Sequence, residues 1–225
     1  MKKIVLALSG GMDSATLLGY LLEQGAEVHC CVFYYGSKHG QHERKAAENL
    51  IDYYQFQDYP VQVSYFDLTG VFTGFNSALL NPDQDIPEGH YAGENMRKTV
   101  VPGRNLIFAS ILAGIAESIG AKQIALGTHA GDHFIYPDCR TEFIKSLDTT
   151  IFLSSDRRVE VITPLDGLDK GGILKLGLSL KNQVPYHLTR TCYKGQPKPC
   201  GKCGSCVERL EAFQNNNLKD PVEYE

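Results

Sequence analysis

The chain has 225 residues, 22 Lys and Arg against 26 Asp and Glu, a formal net charge of −4, and 43% hydrophobic residues. That balance excludes disordered and fibrous classes, and the length suffices to bury a core without disulfides. The acidic excess argues against a generally basic nucleic-acid binder and leaves only a local basic patch as a route to phosphates.

Met1-Lys2-Lys3 ahead of an apolar run at 4–8 imitates a secretory signal. The run is too short, and Asp13 stands where a cleavage region belongs, so it reads as the first strand of a cytoplasmic protein. It breaks at Ser9-Gly10-Gly11, after which residues 13–24 carry Leu17, Leu18, Leu21 and Leu22 on a helical face closed by Gly25. Residues 28–34 read as a second strand, 42–54 as a helix and 61–66 as a third strand. Residues 68–102 hold Gly, Pro, Asn and Asp with little periodicity, the mark of a functional or mobile loop. Then come a helix at 104–119 closed by Gly120, a strand at 123–127, a fifth strand at 158–162 and a helix at 172–180. The richest apolar stretch, 106–116, is broken by Ser110 and Gly114 and falls short of the roughly 20 residues a membrane span needs. Strands alternating with helices specify an α/β fold, a doubly wound parallel sheet covered on both faces. This domain is expected over residues 1–165, with residues 166–225 a small helical, metal-bearing appendage.

Ser9-Gly10-Gly11-Met12-Asp13-Ser14 lies between a buried strand and a helix start. Paired glycines let the backbone approach an anion, and the free amides and dipole of the following helix favour phosphate. The plain alternative is a strand–helix turn with Ser or Asp as cap. Six residues in this order at this position favour phosphate contact. The loop lacks the Gly-Lys-Ser/Thr of a Walker A sequence.

Four of the seven cysteines, Cys192, Cys200, Cys203 and Cys206, fall within fifteen positions among Pro199, Gly201 and Gly204. An odd total with one tight cluster points to metal in a reducing compartment. Tetrahedral zinc with four sulfurs is the simplest occupant, and a closed shell assigns it a structural role. A [4Fe–4S] cluster is the rival, placed behind zinc because Lys202 and Ser205 do not wrap the site in apolar residues. Lys194, Lys198, Lys202 and Arg209 read as a solvated rim, with a nucleic-acid knuckle the weaker alternative.

Val101-Pro102-Gly103-Arg104-Asn105, Leu126-Gly127-Thr128-His129 and Tyr136-Pro137-Asp138-Cys139-Arg140 fall beyond strand carboxyl ends, where ligands of parallel sheets collect. Arg104 and Arg140 suit bidentate contact with carboxylate or phosphate, against a default of surface salt bridges. Cys139 reads as a packing residue, and His129 and His133 as surface or hydrogen-bonding groups.

The Ser-Gly-Gly-x-Asp-Ser loop resembles the pyrophosphate loop of N-type ATP pyrophosphatases, the PP-loop superfamily. Adding Tyr35-Gly36, Gln41-His42-Glu43, the Val-Pro-Gly-Arg-Asn and Tyr-Pro-Asp-Cys-Arg segments, Thr163-Pro164-Leu165 and the four-Cys tail, nearly the whole chain resembles the 7-cyano-7-deazaguanine synthase family of queuosine biosynthesis. One departure is Ser37-Lys38-His39-Gly40-Gln41-His42, which carries extra residues where the family pattern runs Gly-Gln-x-His directly. The resemblance implies an adenine nucleotide α hydrolase-like fold. It implies an ATP-dependent ligase that turns 7-carboxy-7-deazaguanine and ammonia into the 7-cyano compound through adenylated carboxylate and amide. ATP would lie on Leu8, Ser9, Gly10, Gly11, Met12, Asp13, Ser14, Ala15, Thr16, Leu17 and Leu18, with Mg²⁺ on Asp13. Asp13, Arg104, Arg140 and Lys170 would carry catalysis, while Asp132, Tyr136, Asp138 and Arg140 would contact the deazaguanine. One structural Zn²⁺ per chain, a homodimer, free ammonia as nitrogen donor, and neither nucleic acid nor membrane as partner complete the expectation. Two rivals are a PP-loop enzyme acting on a tRNA base or protein terminus, and a non-enzymatic zinc-knuckle module.

Overall fold

In a computed structural model, which describes residues 1–156 and 158–225, side-chain alternation along β1 (Lys3–Ala7) sets a two-sided layout. Ile4 and Leu6 enter one apolar cluster, Val5 and Ala7 the other. α1 (Met12–Glu23) leads to β2 (Glu27–Tyr34), α2 (Gly40–Gln55) to β3 (Val61–Asp67), and α3 (Thr69–Phe72) opens the long loop. α4 (Arg104–Ile119) precedes β4 (Gln123–Ala125), α5 (Thr141–Ser154) precedes β5 (Glu160–Ile162), and α6 (Lys170–Ser179) and α7 (Gly204–Asn215) follow. The five strands run parallel in the order β3-β2-β1-β4-β5.

One face of the sheet buries Leu17 and Leu18 of α1, Leu50 and Tyr54 of α2, Ile173 and Leu174 of α6, and Ala212 and Phe213 of α7. The other buries Ala109, Leu112 and Ala116 of α4 and Ile144, Leu147 and Ile151 of α5. The doubly wound sheet expected from the sequence is therefore present. The boundary expected near residue 165 does not divide the packing, because α6 and α7 share the core of α1 and β1. A third cluster joins Leu68, Phe72, Ala78, Leu79, Ile86 and Val101 of the long loop to all four clustered cysteines. Among the described residues no helix is long and apolar enough to cross a membrane.

α5 is absent from the sequence reading. Its Ser- and Thr-rich turns have weak helix propensity, yet Ser146, Thr149 and Thr150 bond back to carbonyls four residues earlier, and Ile144, Leu147 and Ile151 seat it on the sheet. β5 begins two residues later than expected, after Arg158 at φ 56°. β1 and β4 mark the switch in strand order, and the crevice beyond their carboxyl ends holds the site.

Candidate active site

The loop after β1 is shaped by two glycines under different constraints. Gly10 adopts φ +78°, and a Cβ there would lie 2.6 Å from Ala47 N and 2.7 Å from Glu43 O, so only glycine lets the loop press on α2. Gly11 precedes α1 in extended conformation without a side-chain cap, which leaves the first amides of that helix for a ligand. Ser9 Oγ accepts from Gly11 N at 3.3 Å and pairs with Ser14 Oγ at 3.1 Å. Leu8, Ser9, Gly11, Met12, Asp13 and Ser14 line the cavity. The structure does not bring Gly10 to it, nor Ala15, Thr16, Leu17 and Leu18. The last four face the core, where Thr16 Oγ1 donates to Met12 O at 2.8 Å and meets Tyr186 OH at 2.7 Å.

A charged cluster stands beside this loop. Lys170 Nζ, at the start of α6, donates to Asp13 Oδ1 and Oδ2 at 2.8 and 2.7 Å and lies 3.2 Å from Glu208 Oε2 of α7. Burial opposes the lysine charge, but Asp13, Glu208 and Asp132 overcompensate and hold its pKa above the usual range. For Asp13 burial pushes upward, and the attraction and hydrogen bonds of Lys170, with His129 beside it, win and hold the carboxyl below its ordinary value. Glu208 is pushed up by burial, with Lys170 pulling the other way. His129 accepts from Gly131 N at Nδ1 (3.1 Å), which leaves the neutral ring's proton on Nε2, 3.5 Å from Asp132 Oδ1. Asp132 also accepts from Tyr91 OH at 2.8 Å.

The opposite wall carries Arg104, Tyr35, Phe108, Tyr136, Cys139 and Tyr193. Arg104 Nη1 donates to Tyr35 OH at 3.3 Å and its guanidinium lies over the Tyr35 ring. Among the described residues no carboxylate stands within ion-pair distance of it. Tyr136 OH is shared with Thr99 Oγ1 at 2.8 Å and Tyr193 OH at 3.1 Å. Burial pushes the Cys139 thiol far above its normal range, which fits packing rather than a nucleophilic thiolate.

Two further residues put forward from the sequence do not reach the cavity. Asp138 is buried and accepts from Asn105 N at 2.8 Å, where it caps the start of α4. Arg140 is exposed, donates from Nε to His133 O at 3.2 Å and precedes α5. Gln41 is exposed and His42 contacts Gly195 O, whereas His39 is buried with Nε2 3.4 Å from Glu43 Oε1. Of the two readings offered for His129, surface or hydrogen-bonding, the second holds, since it is buried in the charged cluster and accepts from Gly131 N, while His133 pairs with Asp166 at 3.0 Å. Glu208, Tyr91, Tyr193 and Arg190 line the cavity without having been singled out. Glu208 had one signal, its place two residues after Cys206. Arg209, read as a solvated rim, is buried in a pair with Asp220 at 2.7 Å.

The sulfurs of Cys192, Cys200, Cys203 and Cys206 all lie within 4.8 Å of one another and are buried. Four sulfurs about 2.3 Å from one tetrahedral ion stand roughly 3.8 Å apart, so the set is near the geometry of a metal site. Amides of Lys194 and Cys200 donate to Cys192 Sγ, and those of Lys202 and Cys203 to Cys200 Sγ, as suits sulfurs carrying negative charge. Four thiolates this close repel one another unless a cation sits among them.

The doubly wound parallel sheet, with an uncapped glycine loop at its switch point, is of the adenine nucleotide α hydrolase-like fold class. It is similar in fold to NMN synthetase from Francisella tularensis, with a TM-score of 0.52 and 14% identity over 96% of this chain and 77% of that one. A family model described as "Queuosine biosynthesis protein QueC" matches residues 3–217. The 7-cyano-7-deazaguanine synthase of Pseudoalteromonas atlantica is 42% identical over 225 residues, all of both chains. That of Archaeoglobus fulgidus is 43% identical over 221 residues, 98% of this chain and 89% of that protein. The chain belongs to the QueC family of queuosine biosynthesis proteins.

Proposed function

We propose that this chain is a carbon–nitrogen ligase that uses ATP to convert 7-carboxy-7-deazaguanine and ammonia into 7-cyano-7-deazaguanine. The carrying observation is that one cavity joins the uncapped loop at Gly11 to Arg104, a cation with no carboxylate at ion-pair distance among the described residues. The first suits a pyrophosphate, the second an incoming carboxylate. Family membership supports the carboxydeazaguanine as that acid.

A carboxylate resists ammonia because the departing group would be oxide. Transfer of AMP to one carboxylate oxygen breaks the bond between the α and β phosphates and releases pyrophosphate against Ser9, Gly11 and Ser14. The ammonia lone pair then forms the C–N bond, AMP leaves with the C–O electrons, and nitrogen loses one proton to give the amide. A second ATP adenylates the amide oxygen; departure of AMP and of both remaining nitrogen protons leaves the nitrile. Lys170 and Arg104 offset the charge that gathers on phosphate and carboxylate. Asp13, a cavity-lining carboxylate beside the loop, fits Mg²⁺, which when bound neutralises the leaving pyrophosphate. Tyr91, Tyr136, Tyr193 and Phe108 offer flat faces to a planar heterocycle. Asp138 and Arg140 act by placing α4 and α5. The four cysteines fit Zn²⁺ in a structural role, testable by metal analysis and by the lack of visible iron–sulfur absorption.

The test is incubation with ATP, the carboxydeazaguanine and ¹⁵N-ammonium, followed by mass spectrometry. A cyano product carrying ¹⁵N, with AMP and pyrophosphate formed in step, is expected. Pyrophosphate release that ignores the small acid but responds to tRNA favours the tRNA reading, and none under any condition favours a binding module.

A further inference from the structure

Lys170 aims two of its three protons at the oxygens of Asp13. The reading above gives the same carboxylate to a cation on the ATP phosphates. An Asp13 oxygen turned to a divalent ion loosens the two-oxygen grip on the buried ammonium, and a buried charge stripped of its partner is strongly unfavourable.

Glu208 is placed to resolve the conflict. Its Oε2 lies 3.2 Å from Lys170 Nζ, is shut off from solvent and completes no hydrogen bond. The other groups around Lys170 are already engaged. His129 Nε2, at 3.1 Å, faces Asp132, whose oxygens take Tyr91 OH at 2.8 Å and His129 N at 3.3 Å. Gly131 keeps the space open, since a Cβ there would fall 2.9 Å from Glu208 Oε1. α7 starts from Cys203 and carries Cys206 in its first turn, so the metal-binding segment fixes the rung on which Glu208 stands.

We propose that Glu208 is a positioning residue that holds Lys170 when Asp13 turns to the phosphate-bound cation, so that Mg²⁺ binds without stranding the buried ammonium. The proposal rests on the role given to Asp13 above. Glu208→Gln keeps the shape and removes the charge. Binding of a non-hydrolysable ATP analogue to the full, metal-loaded chain is followed by calorimetry across a series of Mg²⁺ concentrations. The unaltered protein should bind the analogue more tightly as Mg²⁺ rises. In Glu208→Gln the Mg²⁺ needed for the same tightening should rise by about tenfold or more, while Mg²⁺-free binding, metal content and melting temperature hold. Gly131→Ala, which crowds Glu208 Oε1 and the His129 ring at 2.9 Å each without discharging Glu208, should shift the Mg²⁺ dependence in the same direction, and the double variant should be no worse than the worse single one. An unchanged Mg²⁺ dependence in Glu208→Gln overturns the proposal, as does an equal loss with and without Mg²⁺. If the unaltered protein binds nucleotide without regard to Mg²⁺, the role of Asp13 fails first and the proposal falls with it.

Discussion

Gly10 and Gly11 are neighbours whose replacement by alanine separates fold from ligand. At Gly10 the backbone is left-handed, φ +78°, and a new Cβ meets Ala47 N at 2.6 Å, Glu43 O at 2.7 Å and Ala46 Cβ at 2.8 Å. Two of those atoms are α2 backbone and cannot swing aside. Left-handed conformation costs a non-glycine residue about 1–2 kcal/mol and overpacking about 1–3 kcal/mol, so Gly10→Ala should lose roughly 2–5 kcal/mol. For a chain of this size that is a fall in Tm of roughly 4–20 °C. At Gly11 φ is −76°, and a Cβ meets nothing nearer than Ser9 Oγ at 3.4 Å and Arg190 O at 3.6 Å. Gly11→Ala should therefore stay within about 1 kcal/mol of the unaltered stability. It nevertheless puts a methyl group on backbone that phosphate must approach, so ATP affinity should fall about tenfold or more. Urea unfolding and calorimetric ATP titration read the two effects apart. Unaltered ATP affinity in Gly11→Ala refutes the phosphate-loop assignment, and unaltered stability in Gly10→Ala refutes the packing argument.

Arg209→Met strands Asp220, whose carboxylate accepts from the guanidinium at 2.7 and 2.9 Å, and should lose about 3–5 kcal/mol in urea unfolding; replacing Asp220 by Leu as well should restore much of it. Burial pushes the Cys31 thiol up to about 12, so the native state keeps a proton that the unfolded chain gives up from about pH 8.5. Stability should therefore fall as pH rises between those values. Cys31→Ala should remove about 1.4 kcal/mol per pH unit of that slope, measured by urea unfolding at several alkaline pH values. Metal removal by a chelator should open the third cluster, so that proteolysis cuts within residues 68–103 while the sheet core stays protected. Equal protection with and without chelator would count against it.

The sheet was legible because its strands are short apolar runs closed by turn residues, and the helices α1, α2, α4 and α6 begin and end within about two residues of their sequence signals. α5 was hidden because its serines and threonines satisfy their hydroxyls on the helix itself, which no propensity scale registers. The glycine loop between β1 and α1 and the cysteine cluster were legible because each is carried by residues close together in the sequence. Glu208, His129 and Tyr91 were not, because their meeting depends on how α7, the turn after β4 and the long loop converge. Of the Gln41-His42-Glu43 stretch only Glu43 lines the cavity, and it pairs with His39 at 3.4 Å, because the first turn of α2 turns Gln41 outward.

The cavity's cations are sorted by what already holds them. The Arg190 guanidinium donates to the carbonyls of Lys194 at 3.0 Å, Gln196 at 2.6 Å and Pro197 at 2.8 Å, closing the turn between the first two cysteines. Its own amide donates to Gly10 O at 2.8 Å, and Ser205 Oγ donates to the neighbouring Thr191 O at 2.9 Å. One short segment thus braces both the glycine loop and the cysteine-bearing turn, so a polar stretch with little core of its own positions the loop after β1. Arg190 is committed to carbonyls and Lys170 to carboxylates. Arg104 alone of the three lacks such a partner, and it stands among aromatic rings rather than beside the glycine loop. On the function proposed above, ATP phosphates therefore lie toward Gly11 and Lys170, and the acid of a second, flat-ringed reactant lies toward Arg104.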